Sequence, residues 1–66
     1  MIVYNDILAK LAANGWSTYR IRTENVFSEG TLSRIRQGKP ITTDTINRIC
    51  EMLKCQPGDI LTWEPD

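Results

Sequence analysis

Three copies of one local pattern constrain the fold of this 66-residue chain more than any other feature. In each copy a Ser or Thr directly follows a large apolar residue, and a second apolar residue comes four positions after the hydroxyl residue. Such a hydroxyl caps a helix N-terminus, and the two apolar residues pack together as a hydrophobic staple. The pattern therefore marks three helix starts. They are Trp16-Ser17-Ile21, Phe27-Ser28-Leu32 and Ile41-Thr42-Ile46.

Apolar residues at helical spacing extend these starts into a set of short helices. A first helix is predicted over about residues 5–14, with Asn5 as its N-cap and Gly15 as the left-handed residue after its end. Gly38 is predicted to end the third helix, and Pro57 to open the last one. The other four helices are predicted over about residues 18–24, 29–37, 43–54 and 57–61.

The chain ends carry a second, weaker signal. Residues Ile2-Val3-Tyr4 favour β structure and either pair with Leu61-Thr62-Trp63 or pack as an arm. The predicted fold class is all-α, with five short helices in a single domain over residues 1–66 and a short β pairing of the two ends as an option. A helix-turn-helix is expected at about residues 17–37.

Charge is distributed unevenly although the net charge is zero. Residues 19–39 carry a net charge of +3, and residues 40–66 carry −3. A basic middle and an acidic end fit a small domain with one face turned toward phosphates.

Composition argues against an enzyme, a metal site and a membrane protein. Histidine, the commonest general base, is absent, and no Gly-rich phosphate loop is present. Two cysteines cannot form a four-ligand zinc site, so Cys50 is expected in the core and Cys55 at a helix end. No apolar run spans a membrane and no signal peptide is apparent, so we expect a cytoplasmic protein. We also expect no cofactor and no small-molecule ligand.

The third predicted helix has a face suited to the DNA major groove. Leu32 and Ile35 point the same way and must face the core. Small residues on the opposite face let a helix enter a groove about 12 Å wide, where Arg and Gln side chains reach base edges. This opposite face is centred on Gly30, Ser33, Arg34 and Gln37, with Glu29 and Thr31 beside it.

Residues outside this helix are expected to contact the phosphate backbone. Hydroxyl and basic side chains lie at the start of the second helix, just after the third helix and at the start of the fourth. The complete set of candidate DNA-binding residues is Ser17, Thr18, Tyr19, Arg20, Ser28, Glu29, Gly30, Thr31, Ser33, Arg34, Gln37, Lys39, Thr42 and Thr43.

Several of these residues also have a purely structural interpretation. Ser17 is an N-cap whatever the function, and Glu29 complements the helix dipole. Arg34 is alternatively a solvated side chain, and Gly30 a neutral residue near a helix start.

The stretch from Leu11 to Leu61 resembles the Cro/C1-type (Xre) family, the lambda-repressor-like helix-turn-helix domains. The resemblance rests on Ser17, Ile21, Phe27-Ser28, Thr31-Leu32-Ser33-Arg34-Ile35, Gln37-Gly38-Lys39 and Thr42-Thr43-Asp44-Thr45-Ile46. The ending Cys55-Gln56-Pro57-Gly58-Asp59-Ile60-Leu61 resembles a compact subgroup of stand-alone regulators common in Gram-positive bacteria, their phages and mobile elements.

The resemblance implies a five-helix transcriptional regulator, usually a dimer on a palindromic operator. It implies base contacts at Glu29, Gly30 and Arg34, and backbone contacts at Thr18 and Lys39.

Two residues depart from the family pattern. The family tends to have a small residue where this chain has Arg22 and Gly where it has Val26. Arg22 must bend outward to avoid crowding the contact between helices two and three. Val26 resists positive φ, so the turn must use another conformation.

The function expected from the sequence is double-stranded DNA binding by a transcriptional regulator, most simply a repressor acting as a homodimer. The alternative is a protein-interaction module, such as an antitoxin or an adaptor.

Overall fold

Five helices and two short strands make up the fold of this computed structural model, which describes residues 1–66. The elements are β1 (Ile2–Tyr4), α1 (Ile7–Ala13), α2 (Thr18–Thr23), α3 (Glu29–Gln37), α4 (Thr43–Leu53), α5 (Pro57–Ile60) and β2 (Leu61–Trp63). The predicted class, five short helices with a β pairing of the chain ends, is confirmed. None of these helices has the length and apolar character needed to cross a bilayer.

All three predicted staple positions begin helices. Ser17, Ser28 and Thr42 are the N-caps of α2, α3 and α4. In each case the side-chain oxygen accepts a hydrogen bond from the backbone N–H three residues later, at 3.1, 3.1 and 3.2 Å. These bonds satisfy N–H groups that have no partner inside the helix. The helix starts are therefore set by local sequence.

The predicted start of α1 is wrong. The helix begins at Ile7, and its N-cap residue is Asp6, which has φ of 50° and makes no side-chain cap bond. The side chain of Asn5 instead donates to Thr62 Oγ1 at 2.9 Å, and its backbone N–H donates to the carbonyl of Ile60 at 2.9 Å. Contacts with the C-terminal segment thus override the preference of Asn5 for a helix cap.

The two chain ends form an antiparallel ribbon. Ile2 lies opposite Trp63, and Tyr4 lies opposite Leu61. Tyr4 and Leu61 are half-buried against the helices, whereas Ile2 is 53 % exposed and Trp63 68 % exposed. The outer end of the ribbon therefore leaves an apolar pair in solvent.

Side chains from α1, α2, α3, α4, α5 and the turn before α3 meet in one core. Its buried members are Ile7, Leu11, Ile21, Phe27, Leu32, Ile35, Ile49 and Ile60. Leu32 and Ile35 fix the rotation of α3 about its own axis, because both of these buried side chains must stay packed against the other helices. Cys50, predicted in the core, is half-buried and packs against it, as does Cys55 beyond the end of α4.

The turn between α2 and α3 avoids a positive φ at Val26. Asn25 has φ of 54°, and Val26 is not among the residues with positive φ. Asn tolerates the left-handed region far better than a β-branched residue does. The N–H of Val26 then donates to the carbonyl of Ile21 at 3.0 Å, which closes the C-terminus of α2.

Candidate nucleic-acid interface

One side of α3 is turned to solvent along its whole length. We call this side the recognition face; it consists of Glu29, Gly30, Ser33, Arg34 and Gln37. Four of these residues are exposed, and Ser33 is half-buried. Core packing of the opposite side of α3 therefore holds the recognition face outward as one unit.

The centre of the recognition face is small and flat. A Cβ added at Gly30 would meet nothing closer than Ser28 Oγ, at 3.9 Å, so the monomer itself has room for a side chain there. Gln37 Nε2 donates to Ser33 Oγ at 3.0 Å, which lays the amide along the helix surface. The protein interior therefore gives no reason for a glycine at position 30.

Arg34 is the cation of the recognition face, and it makes no ion pair. With Thr31 it borders a shallow notch of about 400 Å³, whose other wall is formed by the segment from Pro40 to Thr42 and by Thr45. The start of α4 thus lies beside the exposed face of α3. Thr42 and Thr43 are both exposed there, although the oxygen of Thr42 also caps α4.

Lys39 follows directly after α3, and its backbone position is fixed by the ribbon. The hydroxyl of Tyr4 donates a hydrogen bond to the carbonyl of Lys39. The exposed Lys39 side chain makes no ion pair. Tyr4 was not among the residues predicted to support this surface, because no sequence signal links a residue in β1 to the end of α3.

The other predicted contacts lie at the starts of α2 and α3. Tyr19 is 75 % exposed, Thr18 is half-buried, and Ser17 is exposed while capping the helix. Ser28 and Thr31 at the start of α3 are joined by a bond from Ser28 Oγ to Thr31 Oγ1 at 3.0 Å. The hydroxyls of Ser17, Ser28 and Thr31 are therefore already engaged in local hydrogen bonds.

The side chain of Arg20 already contacts three neighbouring residues. Its Nε donates to Glu24 Oε2 at 2.6 Å, and its Nη1 donates to the carbonyl of Gly15 at 3.1 Å. The guanidinium also stacks 3.9 Å from the ring centre of Trp16. A phosphate contact by Arg20 stays a prediction, and it would have to form while these partners are kept or replaced.

Arg22 bends outward, as its bulk required, and reaches α3. Its Nε lies 2.6 Å from Glu29 Oε1, so an ion pair crosses from the end of α2 to the first residue of α3. The expectation that Glu29 only complements the helix dipole is therefore incomplete, because its carboxylate has a cationic partner on the other helix.

Hydroxyl, amide and basic side chains make up most of this surface. No three His, Cys, Asp or Glu side chains lie close enough together to hold a metal ion. Burial, followed by the neighbouring Cys55, raises the pKa of the Cys50 thiol, so this group is a poor nucleophile at neutral pH.

Two helices joined by a short turn, the second with an exposed polar face, define a helix-turn-helix domain. The chain belongs to the Cro/C1-type helix-turn-helix DNA-binding domains, whose family model matches residues 6–66. The resemblance drawn from the sequence is thus confirmed. Proteins of this family are regulators that bind DNA and generally are not enzymes.

A named relative supports the same class. The chain is 32 % identical to YozG of Bacillus subtilis (strain 168), an uncharacterised HTH-type transcriptional regulator, over 68 aligned positions. The alignment covers 100 % of this chain and 81 % of the relative. No solved structure matches the chain significantly.

Proposed function

We propose that this chain regulates transcription by binding a specific duplex sequence, with α3 in the major groove. The simplest mechanism is repression, in which the bound protein occupies an operator and blocks other proteins. The helix-turn-helix unit of residues 17–37 supplies the contacts, and α4 supports them from the side.

The recognition face is the observation that supports this proposal most strongly. It is solvent-exposed, it is small at Gly30 and Ser33, and it carries Arg34 free of any ion pair. The major groove admits an α-helix, small groove-facing residues let the helix axis approach the bases more closely, and Arg forms paired hydrogen bonds with guanine O6 and N7. A purely solvated helix has no need of a glycine on its exposed face.

Flanking residues are proposed to set the orientation of α3 on the duplex. Thr18 and Tyr19 on α2, Lys39 after α3, and Thr42 and Thr43 at the start of α4 are exposed or half-buried. Hydroxyl and ammonium groups of this kind bind phosphate oxygens without distinguishing bases. They are expected to add affinity for all sequences alike.

We further propose that the chain acts as a homodimer through the outer end of its ribbon. Ile2 and Trp63 face each other across the ribbon and are more than half exposed. A two-fold dimer that binds a palindromic site must place its two recognition helices about one DNA turn apart. Sedimentation of the native chain and of Trp63→Ala, which should shift toward monomer, tests this contact.

Selection of bound duplexes from a random pool tests the proposed function. We expect enrichment of a palindromic site whose half-sites are about 10 base pairs apart. Arg34→Ala should remove preference at one base position at a cost of about 1–3 kcal/mol, whereas Lys39→Ala should weaken all sequences alike.

Failure to enrich any sequence would contradict the proposal and favour the protein-interaction module as the function. Unchanged preference after Arg34→Ala would remove that residue from the base contacts while leaving duplex binding in place.

A further inference from the structure

The ion pair between Arg22 and Glu29 joins the two helices of the helix-turn-helix. It brings Arg22 Nε within 2.6 Å of Glu29 Oε1, and its two side chains are 46 % and 70 % exposed. Solvent screens a pair this exposed, so its contribution to folding stability is small. Its position, at the first residue of α3, matters more than its strength.

A carboxylate at this position faces an electrostatic problem if α3 enters the major groove. Glu29 lies at the edge of the recognition face, where DNA phosphates on either side of the groove repel an anion. The guanidinium of Arg22 cancels that charge locally. The contact joins Arg22 Nε to Glu29 Oε1, and no other side chain bonds to Glu29, so the carboxylate keeps the capacity to accept a further hydrogen bond.

We propose that Arg22 is a positioning residue for DNA recognition: from the end of α2 it holds the Glu29 side chain in one orientation, so that the carboxylate accepts a hydrogen bond from a cytosine amino group. Acidic side chains recognise cytosine in the major groove through its N4 amino group. This inference rests on the proposed function and assigns a role to Arg22, a residue at which the chain departs from its family.

A second Arg–Glu pair in the same region provides a matched comparison. Arg20 Nε and Glu24 Oε2 are also 2.6 Å apart, and their exposure is similar, at 45 % and 49 %. That pair spans one turn of α2 and does not reach α3. Breaking it at Glu24 removes an equivalent ion pair without touching the recognition face. It frees Arg20, a predicted phosphate contact, and phosphate contacts affect all sequences alike rather than base preference.

The experiment compares the base preferences of five proteins by selection from a random duplex pool: the native chain, Glu29→Ala, Arg22→Ala, Arg22→Lys and Glu24→Ala. Thermal melts of the same proteins report folding. At the position where Glu29→Ala abolishes a cytosine preference, we expect Arg22→Ala to reduce that preference by about fivefold or more. Arg22→Lys should restore part of it, and Glu24→Ala should leave it unchanged.

Two results would overturn the assignment of Arg22. The first is a cytosine preference that survives Arg22→Ala undiminished. The second is a loss in Arg22→Ala that Glu24→Ala reproduces, since that would reflect weakened folding of α2. A failure of the proposed function is distinct from both, because the native chain itself would then enrich no sequence. If the native chain retains a preference that depends on Arg34, the proposed function stands whatever Arg22 does.

Discussion

Gly30→Ala is expected to make this protein more stable and a poorer DNA binder. Gly30 is the second residue of α3, its φ is not positive, and an added Cβ would be 3.9 Å from its nearest neighbour, Ser28 Oγ. Alanine fits that conformation without strain and reduces the freedom of the unfolded chain. A gain of about 0.4–1 kcal/mol in the free energy of unfolding follows.

That gain should be visible in a thermal melt. A domain of this size changes its melting temperature by about 4–8 °C per kcal/mol, so Gly30→Ala should melt about 2–8 °C higher. The affinity for DNA should fall. The new methyl group stands at the centre of the recognition face, and one extra methyl in a close-packed contact costs about 1–3 kcal/mol. Anisotropy titration of a selected duplex should therefore show a Kd raised by roughly 5-fold to 150-fold.

Gly58→Ala is the matched control. Gly58 lies in α5, a Cβ there would meet nothing within 4 Å, and its φ is not positive. It should leave the Kd unchanged. If Gly30→Ala binds the selected duplex as tightly as the native chain, then α3 does not approach DNA closely at this point, and the argument from the small central residue fails.

Three further predictions concern caps, charge and thiol chemistry. Ser28→Ala removes the cap of α3 and should lower the free energy of unfolding by about 1 kcal/mol in a denaturant titration; an unchanged midpoint would contradict the capping role. Three cations in the basic segment lack an ion pair, Arg34, Arg36 and Lys39, so log K against log salt should have a slope no steeper than about −2.7 per subunit. A slope near −4.5 would mean that Arg20 and Arg22 leave their carboxylates. Because burial raises the pKa of Cys50, its thiolate forms at higher pH in the folded chain than in the unfolded one; alkylation of Cys50 at pH 8 should therefore be slower in buffer than in denaturant, and equal rates would refute this.

The helix starts were predictable because their causes are local. Ser17, Ser28 and Thr42 each bond to a backbone N–H only three residues away, so a short window of sequence contains both partners. Asn5 was predicted wrongly for the opposite reason. Its partners, Ile60 and Thr62, lie more than fifty residues away, and the sequence around Asn5 does not indicate them.

The same contrast between local and long-range causes applies to the candidate site. Helical periodicity identified the recognition face, since the buried pair Leu32 and Ile35 fixes which side of α3 meets solvent. The link from Arg22 to Glu29 was beyond sequence reasoning, because it depends on how the turn between α2 and α3 brings the two helices together. That turn in turn depends on the left-handed conformation of Asn25.

Amide chemical shifts of the labelled protein, titrated with a selected duplex, test the central claim most directly. If α3 lies in the major groove, the largest changes should fall on residues 29–37, with smaller changes at Thr18, Lys39 and Thr43. Changes confined to the ribbon around Ile2 and Trp63, with α3 unaffected, would show that DNA is bound by another surface and would contradict the account.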